Sequence, residues 1–369
     1  MEALPHETKR TEKSLSLSFS ICHGNATILE VKGHVATIKD VAQKASVGVG
    51  TVSRVLNGKG YVSEDARQKV MEAIVELQYV PNAQARAMMT KRSMTIGVTL
   101  PDLTNPYFPS LLRGIEDEAR RSSYTVIMIE TDWKPTNESQ AVDILRRQSV
   151  DGIILIDTEL VELLTRTLMQ AEVPIVLCNR GVERSDVEQV LVNNYQGAAD
   201  AMAWIRQRGH RRVGFLAGPE NANSARQRLR AYLDCMDWHS IPVDEINRHP
   251  ELPLERANFL FEDAKQATER LLQRHPDLTC LFAANDLSAL GALSYLSAQG
   301  MRVPDQIALV GFDDLLMASL VHPPLTTVRQ PVYEMGTASA RLLIERINNP
   351  EGEVKRLIFD PVLVTRQSC

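Results

Sequence analysis

Between residues 37 and 80, hydrophobic residues recur three and four positions apart, which is the spacing of the buried face of a helix. This pattern predicts three short helices, in the segments TIKDVAQKA, VGTVSRVLN and SEDARQKVMEAIVEL. Thr37 and Ser63 each precede a predicted helix and can cap its N-terminus. Two short helices across a tight turn, braced by a third, form a helix-turn-helix, and the second helix has the size to enter the major groove of DNA.

A pair of glycines precedes the second predicted helix, in the sequence Gly48-Val49-Gly50. Glycine pairs also open the phosphate loops of dinucleotide-binding proteins, so a cofactor loop is the alternative interpretation. That fingerprint requires a third glycine at the sixth position and a buried strand before the loop. Here Ser53 occupies the sixth position and the preceding segment is helical. We therefore expect no cofactor, and we expect this helix to contact the phosphates of DNA.

After residue 93 the pattern changes to short apolar runs that alternate with amphipathic helical stretches. Runs such as TIGVTLPD, DGIILID and RVGFLAGP are apolar almost throughout, as strands are when helices cover both faces of a parallel sheet. We therefore predict an α/β body with parallel sheets behind a small all-α headpiece. Polar residues end most of these runs, and parallel α/β sheets bind ligands at the carboxyl ends of their strands. Carboxylates, amides and arginine at these ends favour a hydroxyl-rich ligand, with Phe108 available to stack on it.

The charge of the chain is unevenly distributed. The net charge of the 369 residues is −5, yet residues 36–95 contain nine Lys and Arg against five Asp and Glu. The body is therefore acidic and the headpiece is basic. This asymmetry predicts that only the headpiece meets a polyanion.

The sequence lacks the motifs that are typical of several other classes of protein. The five cysteines are scattered without a CxxC pair, and the eight histidines lack ligand spacing, so we expect no metal and a reducing cytoplasmic location. No apolar run approaches the roughly 20 residues that span a bilayer, so we expect no membrane partner. No GxSxG nucleophile motif is present, and we expect a binding protein rather than an enzyme.

The first 35 residues show no clear helical or strand pattern. The stretch KRTEKSLSLSFSICHGNA is loosely similar to a signal peptide, but its apolar run is interrupted by serines. We expect residues 1–35 to form a disordered N-terminal extension. A second hypothesis is that translation begins near Val31.

The string TIKDVAQKASVGVGTVSRVLNGKGYVSEDARQKVMEAIVELQYVPNAQARAM strongly resembles the DNA-binding headpiece of the LacI/GalR family of bacterial transcription regulators. The resemblance extends from about Thr37 to the C-terminus and places the helix-turn-helix at residues 36–80. It implies base contacts by Val49, Gly50 and Arg54, and the Arg54 guanidinium can indeed donate two hydrogen bonds to guanine. Further contacts to phosphates or bases are implied for Thr37, Thr51, Ser53, Asn57, Tyr61 and Ser63.

Residues 81–93 resemble the family's hinge helix and linker. Asn82 can cap this helix, and we expect Arg86 to contact phosphate rather than bases. Met88 stands where the family usually has a leucine that wedges into the minor groove, and an apolar methionine can also unstack a base step.

Residues 94–369 resemble a two-lobed periplasmic-binding-protein-like fold that closes over a small effector and carries the dimer interface. The implied lobes are residues 94–193 with 332–357, and residues 194–331 with 358–369. The position at the strand ends and the resemblance together nominate the effector-binding residues Asp102, Asn105, Phe108, Asp157, Arg180, Asn193, Arg228, Asn285, Asp313 and Gln330.

These observations predict a homodimeric repressor that binds a pseudo-palindromic operator in double-stranded DNA. Its DNA affinity is expected to depend on a small molecule, with a sugar or sugar derivative favoured because amides and carboxylates outnumber aromatic stackers. A purine- or nucleoside-responsive repressor and a sugar receptor without a regulatory role are the alternatives.

Overall fold

The computed structural model describes residues 36–57, 60–79, 92–159, 161–170, 172–182 and 186–369. The chain forms two compact units, residues 1–86 and 87–369, which are called the headpiece and the body below. The predicted hinge contacts Asn82, Arg86 and Met88, and the predicted N-terminal extension, lie outside the described residues. None of the helices within the described ranges is both long and apolar enough to span a bilayer.

The headpiece contains the helices α1 (Ile38–Lys44), α2 (Val49–Asn57) and α3 (Glu64–Glu76). Both predicted caps form, because the Thr37 hydroxyl accepts from the Asp40 backbone N–H and the Ser63 hydroxyl accepts from that of Ala66. The Asp40 carboxylate accepts in return from the Thr37 backbone N–H at 2.7 Å, which completes a capping box. The helices enclose a small core centred on the fully buried side chains Val41, Val52 and Val70.

The first lobe of the body is built on a six-stranded sheet in which every neighbouring pair is parallel. Its strands are β1 (Thr95–Leu100), β2 (Thr125–Glu130), β3 (Gly152–Ile156), β4 (Ile175–Cys178), β5 (Glu188–Val192) and β11 (Arg356–Phe359), in the order β11-β5-β4-β3-β1-β2. The helices of this lobe are α4 (Tyr107–Arg121), α5 (Pro135–Arg147), α6 (Val161–Gln170) and α12 (Val332–Asn348). Strands β1, β3, β4 and β5 are buried along nearly their whole length, as in parallel sheets covered on both faces, although β5 begins with the polar residues Glu188 and Gln189.

The second lobe has a four-stranded parallel sheet of order β7-β6-β8-β9. Its strands are β6 (Val213–Ala217), β7 (Leu254–Arg256), β8 (Cys280–Ala283) and β9 (Ala308–Val310), beside an antiparallel pair of β10 (Thr327–Arg329) and β12 (Val362–Val364). The helices are α7 (Asn194–Gln207), α8 (Asn223–Cys235), α9 (Phe261–Arg274), α10 (Asp286–Ala298) and α11 (Leu316–Leu320), with a 3₁₀ turn at Val243–Arg248.

The chain crosses between the lobes between β5 and α7, between β10 and α12, and between β11 and β12. The third crossing lies after Phe359, two residues beyond the predicted boundary, because Ile358 and Phe359 still pair with β5. Because the strands of each sheet run parallel, their carboxyl ends meet at one edge. The two lobes turn these edges towards each other, and this places the strand-end polar residues in one cleft.

Candidate DNA interface and ligand cleft

The solvent face of α2 carries the residues expected to read bases. Val49 is 42% exposed, Gly50 and Arg54 are also exposed, and Val52 and Val55 on the opposite face are buried. Within the described residues no carboxylate forms an ion pair with the Arg54 guanidinium. An exposed apolar residue and an exposed guanidinium on one helix suit contacts with base edges.

Two of the predicted DNA contacts also have a structural role, because the Thr37 and Ser63 hydroxyls cap α1 and α3. Thr51 and Ser53 are half-buried on α2, while Tyr61 follows the helix and is 90% exposed. Asn57 ends α2, but its side chain lies outside the described part of the chain. The DNA contacts themselves remain predictions.

The facing edges of the two lobes enclose a polar and aromatic cavity. Of the predicted effector residues, it brings together Asn105, Phe108, Asp157, Arg228, Asn285 and Asp313. Tyr107, Trp133, Asn179, Ser224 and Phe259 complete its lining. The residues come from both lobes, so the cavity exists only while the lobes are closed.

Arg228 lies at the centre of the cleft and is only 3% exposed. Its Nε donates to Asn194 Oδ1 at 2.9 Å and its Nη1 donates to the Ala284 carbonyl at 2.6 Å. The guanidinium lies 3.7 Å from the centroid of the Phe312 ring, and its Nη1 is 3.6 Å from Asp313 Oδ1. Burial lowers the pKa of Arg228 and Asp313 opposes this effect, so the side chain is a fixed, desolvated cation.

Two buried carboxyl groups face this arginine. Burial raises the pKa of Asp313 to about 8 against the attraction of Arg228, and Gln330 Nε2 donates to Asp313 Oδ1 at 2.6 Å. Burial likewise raises the pKa of Asp157 to about 7, while Asn179 Nδ2 donates to Asp157 Oδ2 at 2.7 Å. These carboxyl groups can accept hydrogen bonds when ionised and donate one when protonated, which suits a ligand with several hydroxyl groups.

Backbone strain gathers around the cleft. Asp157 (φ 49°), Asn179 (φ 60°) and Asp313 (φ 127°) all have positive φ, as do Trp133 (φ 57°) and Phe259 (φ 62°). Each such conformation costs on the order of 1–3 kcal/mol in a residue other than glycine, and it is least unusual for Asn and Asp. The surrounding fold maintains these conformations and thereby holds the cleft side chains in position before any ligand binds.

A row of aromatic rings forms one wall of the cleft. The Phe108 ring meets Tyr107 edge-on at 5.1 Å and Trp133 at 6.3 Å, and Trp133 meets Phe259 of the other lobe at 6.3 Å. The sequence interpretation missed Trp133 and Phe259, which follow β2 and β7. The strand-end rule that found the polar residues would have found both rings, had it been applied to aromatic residues.

Four predicted effector residues do not line the cavity. Asp102 accepts from the Thr104 backbone N–H and hydroxyl, and Asn193 caps α7 by accepting from the Gln196 backbone N–H. Gln330 reaches the cavity only through its bond to Asp313. Arg180 donates to the Asn221 carbonyl of the opposite lobe at 3.1 Å. Asn285 does line the cavity, although its Oδ1 also caps α10.

The free space in the cavity is about 20 Å³, enough for about one water molecule. A ligand therefore enters only when the lobes separate. The buried Tyr107 hydroxyl, Asp157 Oδ1 and Asn179 Oδ1 have no hydrogen-bond partner among the described residues. All three residues line the cavity, where these atoms can bind a polar ligand. No group of three or more His, Cys, Asp or Glu side chains in the described ranges converges as a metal site requires.

A basic helix-turn-helix joined to a two-lobed body with a closed polar cleft defines a class of protein, the DNA-binding regulator with a ligand-binding domain. Residues 37–82 match the family described as bacterial regulatory proteins, lacI family, and residues 203–369 match the periplasmic binding protein-like domain.

Curated relatives are similar over almost their whole length. The ribose operon repressor of Halalkalibacterium halodurans is 34% identical over 90% of this chain and 97% of its own length. The HTH-type transcriptional repressor PurR of Aliivibrio salmonicida is 30% identical over 90% of this chain and 99% of its own.

Solved structures of transcriptional regulators are also similar to this chain in sequence and fold. A lac repressor dimer bound to operator and the anti-inducer ONPF is 27% identical, with a TM-score of 0.77 over 91% of this chain and 99% of that one. The transcriptional regulator CelR in complex with cellobiose is 32% identical, with a TM-score of 0.67 over 90% of this chain and 100% of that one. The chain belongs to the lacI family of bacterial regulatory proteins, and the family and fold class predicted from the sequence are confirmed.

Proposed function

We propose that this protein is a sequence-specific transcriptional repressor whose affinity for its operator is controlled by a small polar effector bound between the lobes. The observation that carries the proposal is the presence, in one chain, of an exposed recognition helix and of a closed cleft around a buried arginine. The cleft binds the effector, and α2 enters the major groove of the operator. The function is binding rather than catalysis, and the site of action is the cytoplasm, where the DNA is.

The effector is a sugar or a sugar derivative. Arg228, Asp157 and Asp313 present a fixed cation and two carboxyl groups, which together can hold several hydroxyl groups in one orientation. The aromatic wall offers a face on which a sugar ring can stack. Relatives named for ribose and cellobiose support this class of ligand.

A purine or nucleoside is the second candidate. The specific observation in its favour is the continuous row of four rings from Tyr107 to Phe259, which exceeds the single stacker found from sequence. A planar base can insert into such a row. The similarity to a PurR repressor supports the same alternative.

The acting species is a homodimer on a pseudo-palindromic operator. One headpiece presents a single recognition helix, and two copies related by a twofold axis are needed to read two half-sites. A solved relative that is a dimer on its operator supports this arrangement.

The test is a thermal-shift screen of the full chain against ribose, cellobiose, other sugars and purines, followed by binding to genomic DNA fragments with and without each hit. We expect at least one sugar to raise the unfolding temperature and to change the affinity for one set of fragments. Stabilisation by purines alone would select the second candidate, and equal affinity for all fragments under all conditions would refute the repressor proposal.

Arg228→Ala provides the matched test of the cleft. The variant should keep operator binding but lose most of the response to the effector, because the buried cation no longer holds the ligand. Arg230→Ala is the control, since Arg230 lies on the same helix but pairs with Asp234 outside the cavity. Equal dose responses of the wild-type protein and Arg228→Ala would remove Arg228 from the site.

A further inference from the structure

A direct contact between the lobes lies outside the ligand cavity. Asn221 follows β6 in the second lobe, and its Nδ2 donates to Glu159 Oε2 of the first lobe at 3.0 Å. The Asn221 carbonyl accepts from Arg180 Nη1, also of the first lobe, at 3.1 Å. One residue of the second lobe is thus held by two charged side chains of the first, and none of the three lines the cavity.

A buried carboxylate holds the first-lobe side of this contact in place. Glu138, in the first turn of α5, is only 5% exposed. It accepts from the Glu159 backbone N–H at 2.9 Å and from the Thr158 hydroxyl at 2.8 Å. The corner that presents Glu159 to Asn221 is therefore preorganised, and little conformational freedom remains to be lost when the lobes meet.

We propose that Glu159, Arg180 and Asn221 form a latch that stabilises the closed arrangement of the lobes independently of the ligand. Both latch bonds join protein atoms to protein atoms, and both involve a charged side chain, which makes them stronger than neutral hydrogen bonds. The latch therefore keeps the open form, which a ligand can enter, as a minority of the molecules. The apparent affinity of the cleft for its ligand then depends on latch strength as well as on the cavity contacts.

The charge on Glu159 makes the latch testable by an amide–carboxylate exchange. Asn221→Asp places a second carboxylate against Glu159 and replaces an attraction by a repulsion. Combining Asn221→Asp with Glu159→Gln restores a donor and an acceptor in reversed order. A merely structural role for Asn221 predicts no such rescue.

The experiment is hydrogen–deuterium exchange of the full chain in the absence of any added ligand or DNA. We expect Asn221→Asp to accelerate exchange about fivefold to tenfold at cleft-lining segments around Asp157, Asn179 and Ser224, because the lobes open more often. The double variant should return these rates to within about twofold of wild type. Asn221→Ala only removes the bond to Glu159, so its exchange rates at these segments should lie between those of wild type and Asn221→Asp.

The matched control is Asn247→Asp. Asn247 Nδ2 donates to Glu220 Oε2 at 3.4 Å, so the control repeats the amide–carboxylate chemistry between two residues of the same lobe. The latch is refuted if Asn221→Asp exchanges no faster than this control at the cleft, or if the double variant exchanges as fast as Asn221→Asp alone. Because no effector or operator is used, the result does not depend on the proposed function.

Discussion

The Arg54 side chain lies beside two glycines. A Cβ atom at Gly60 would lie 3.2 Å from Arg54 Cδ, and one at Gly50 would lie 3.9 Å from its terminal nitrogen. Gly60 has φ +80°, a conformation that other residues rarely adopt. Gly50, the second glycine of the Gly48-Val49-Gly50 pair, thus lies beside the Arg54 side chain, which is long enough to reach a base.

Arg54→Ala should weaken operator binding by about 1–3 kcal/mol and binding to random DNA far less, because only the operator offers the matching base edge. Fluorescence anisotropy at one fixed salt concentration measures both. Lys69→Ala is the control, because it removes one positive charge from α3, where Lys69 pairs with Asp65. Equal losses on operator and random DNA would contradict base reading by Arg54.

The buried carboxyl group of Asp157 links stability to pH. Its folded pKa is about 7, whereas an unfolded aspartate titrates near pH 3.9, so between these values unfolding releases a proton. The contribution of Asp157 to stability is therefore fully present below about pH 4 and is lost as the pH rises towards 7.

Asp157→Asn should remove this dependence, so its stability relative to wild type should increase from pH 4 to pH 8 by up to about 4 kcal/mol. Urea unfolding followed by tryptophan fluorescence is suitable, because Trp133, Trp204 and Trp238 are the three tryptophans and all lie in the body. Asp143→Asn, which changes an exposed carboxylate, is the control. A stability difference that stays constant over this range would show that Asp157 is ionised throughout.

At the scale of elements, helices α4 and α12 pack with their backbones in contact. A Cβ atom at Gly336 would lie 2.1 Å from the Leu111 carbonyl oxygen, and one at Gly114 would lie 2.2 Å from that of Tyr333. Both helices begin at the cleft, and at the end of α12 the Ile347 carbonyl and Asn348 Oδ1 accept from Arg92 at 3.0 and 2.5 Å. The pair therefore connects the cleft to Arg92, which follows the predicted hinge.

Gly336→Ala should destabilise the body by about 1–3 kcal/mol, because the forced separation of two backbones outweighs the better helix propensity of alanine. Urea unfolding measures the change. Gly181→Ala is the control, since its new methyl group would meet only the flexible Leu191 and Arg356 side chains, at 3.3 Å and beyond. Similar small effects of both substitutions would show that the helices separate easily.

At the scale of the whole molecule, the proposed function couples two binding reactions through the lobes. The coupling is negative or positive according to whether the effector binds more tightly to the lobe arrangement that releases the operator or to the one that holds it. Its size is bounded by typical allosteric couplings of about 1–3 kcal/mol, or roughly 5- to 150-fold in affinity.

Thermodynamic linkage gives a prediction that holds for either sign. The factor by which the effector changes operator affinity should equal the factor by which operator changes effector affinity. Titration calorimetry with the sugar hit, with and without saturating operator, measures the second factor, and anisotropy measures the first. Unequal factors would mean that a second effector site or a change of oligomeric state contributes.

The sequence by itself determined the features that depend on neighbouring residues. The headpiece helices, with their caps at Thr37 and Ser63, follow from periodicity and hydrogen bonding within a few positions. The parallel strands follow from continuous apolar runs, and the strand-end rule pointed to Asn105, Asp157 and Asp313, which line the cavity from the facing edges of two sheets. The resemblance to the family added Arg228 to this set of cleft residues.

Only the tertiary structure decided which strand-end residues meet. Arg180 and Asn193 follow strands just as Asp157 does, yet one side chain bridges the lobes and the other caps a helix. Trp133 and Phe259 are far apart in sequence and become neighbours only when the lobes close. Periodicity records which face of an element is buried, whereas contacts between lobes depend on the relative placement of two separately folded cores, which no local pattern encodes.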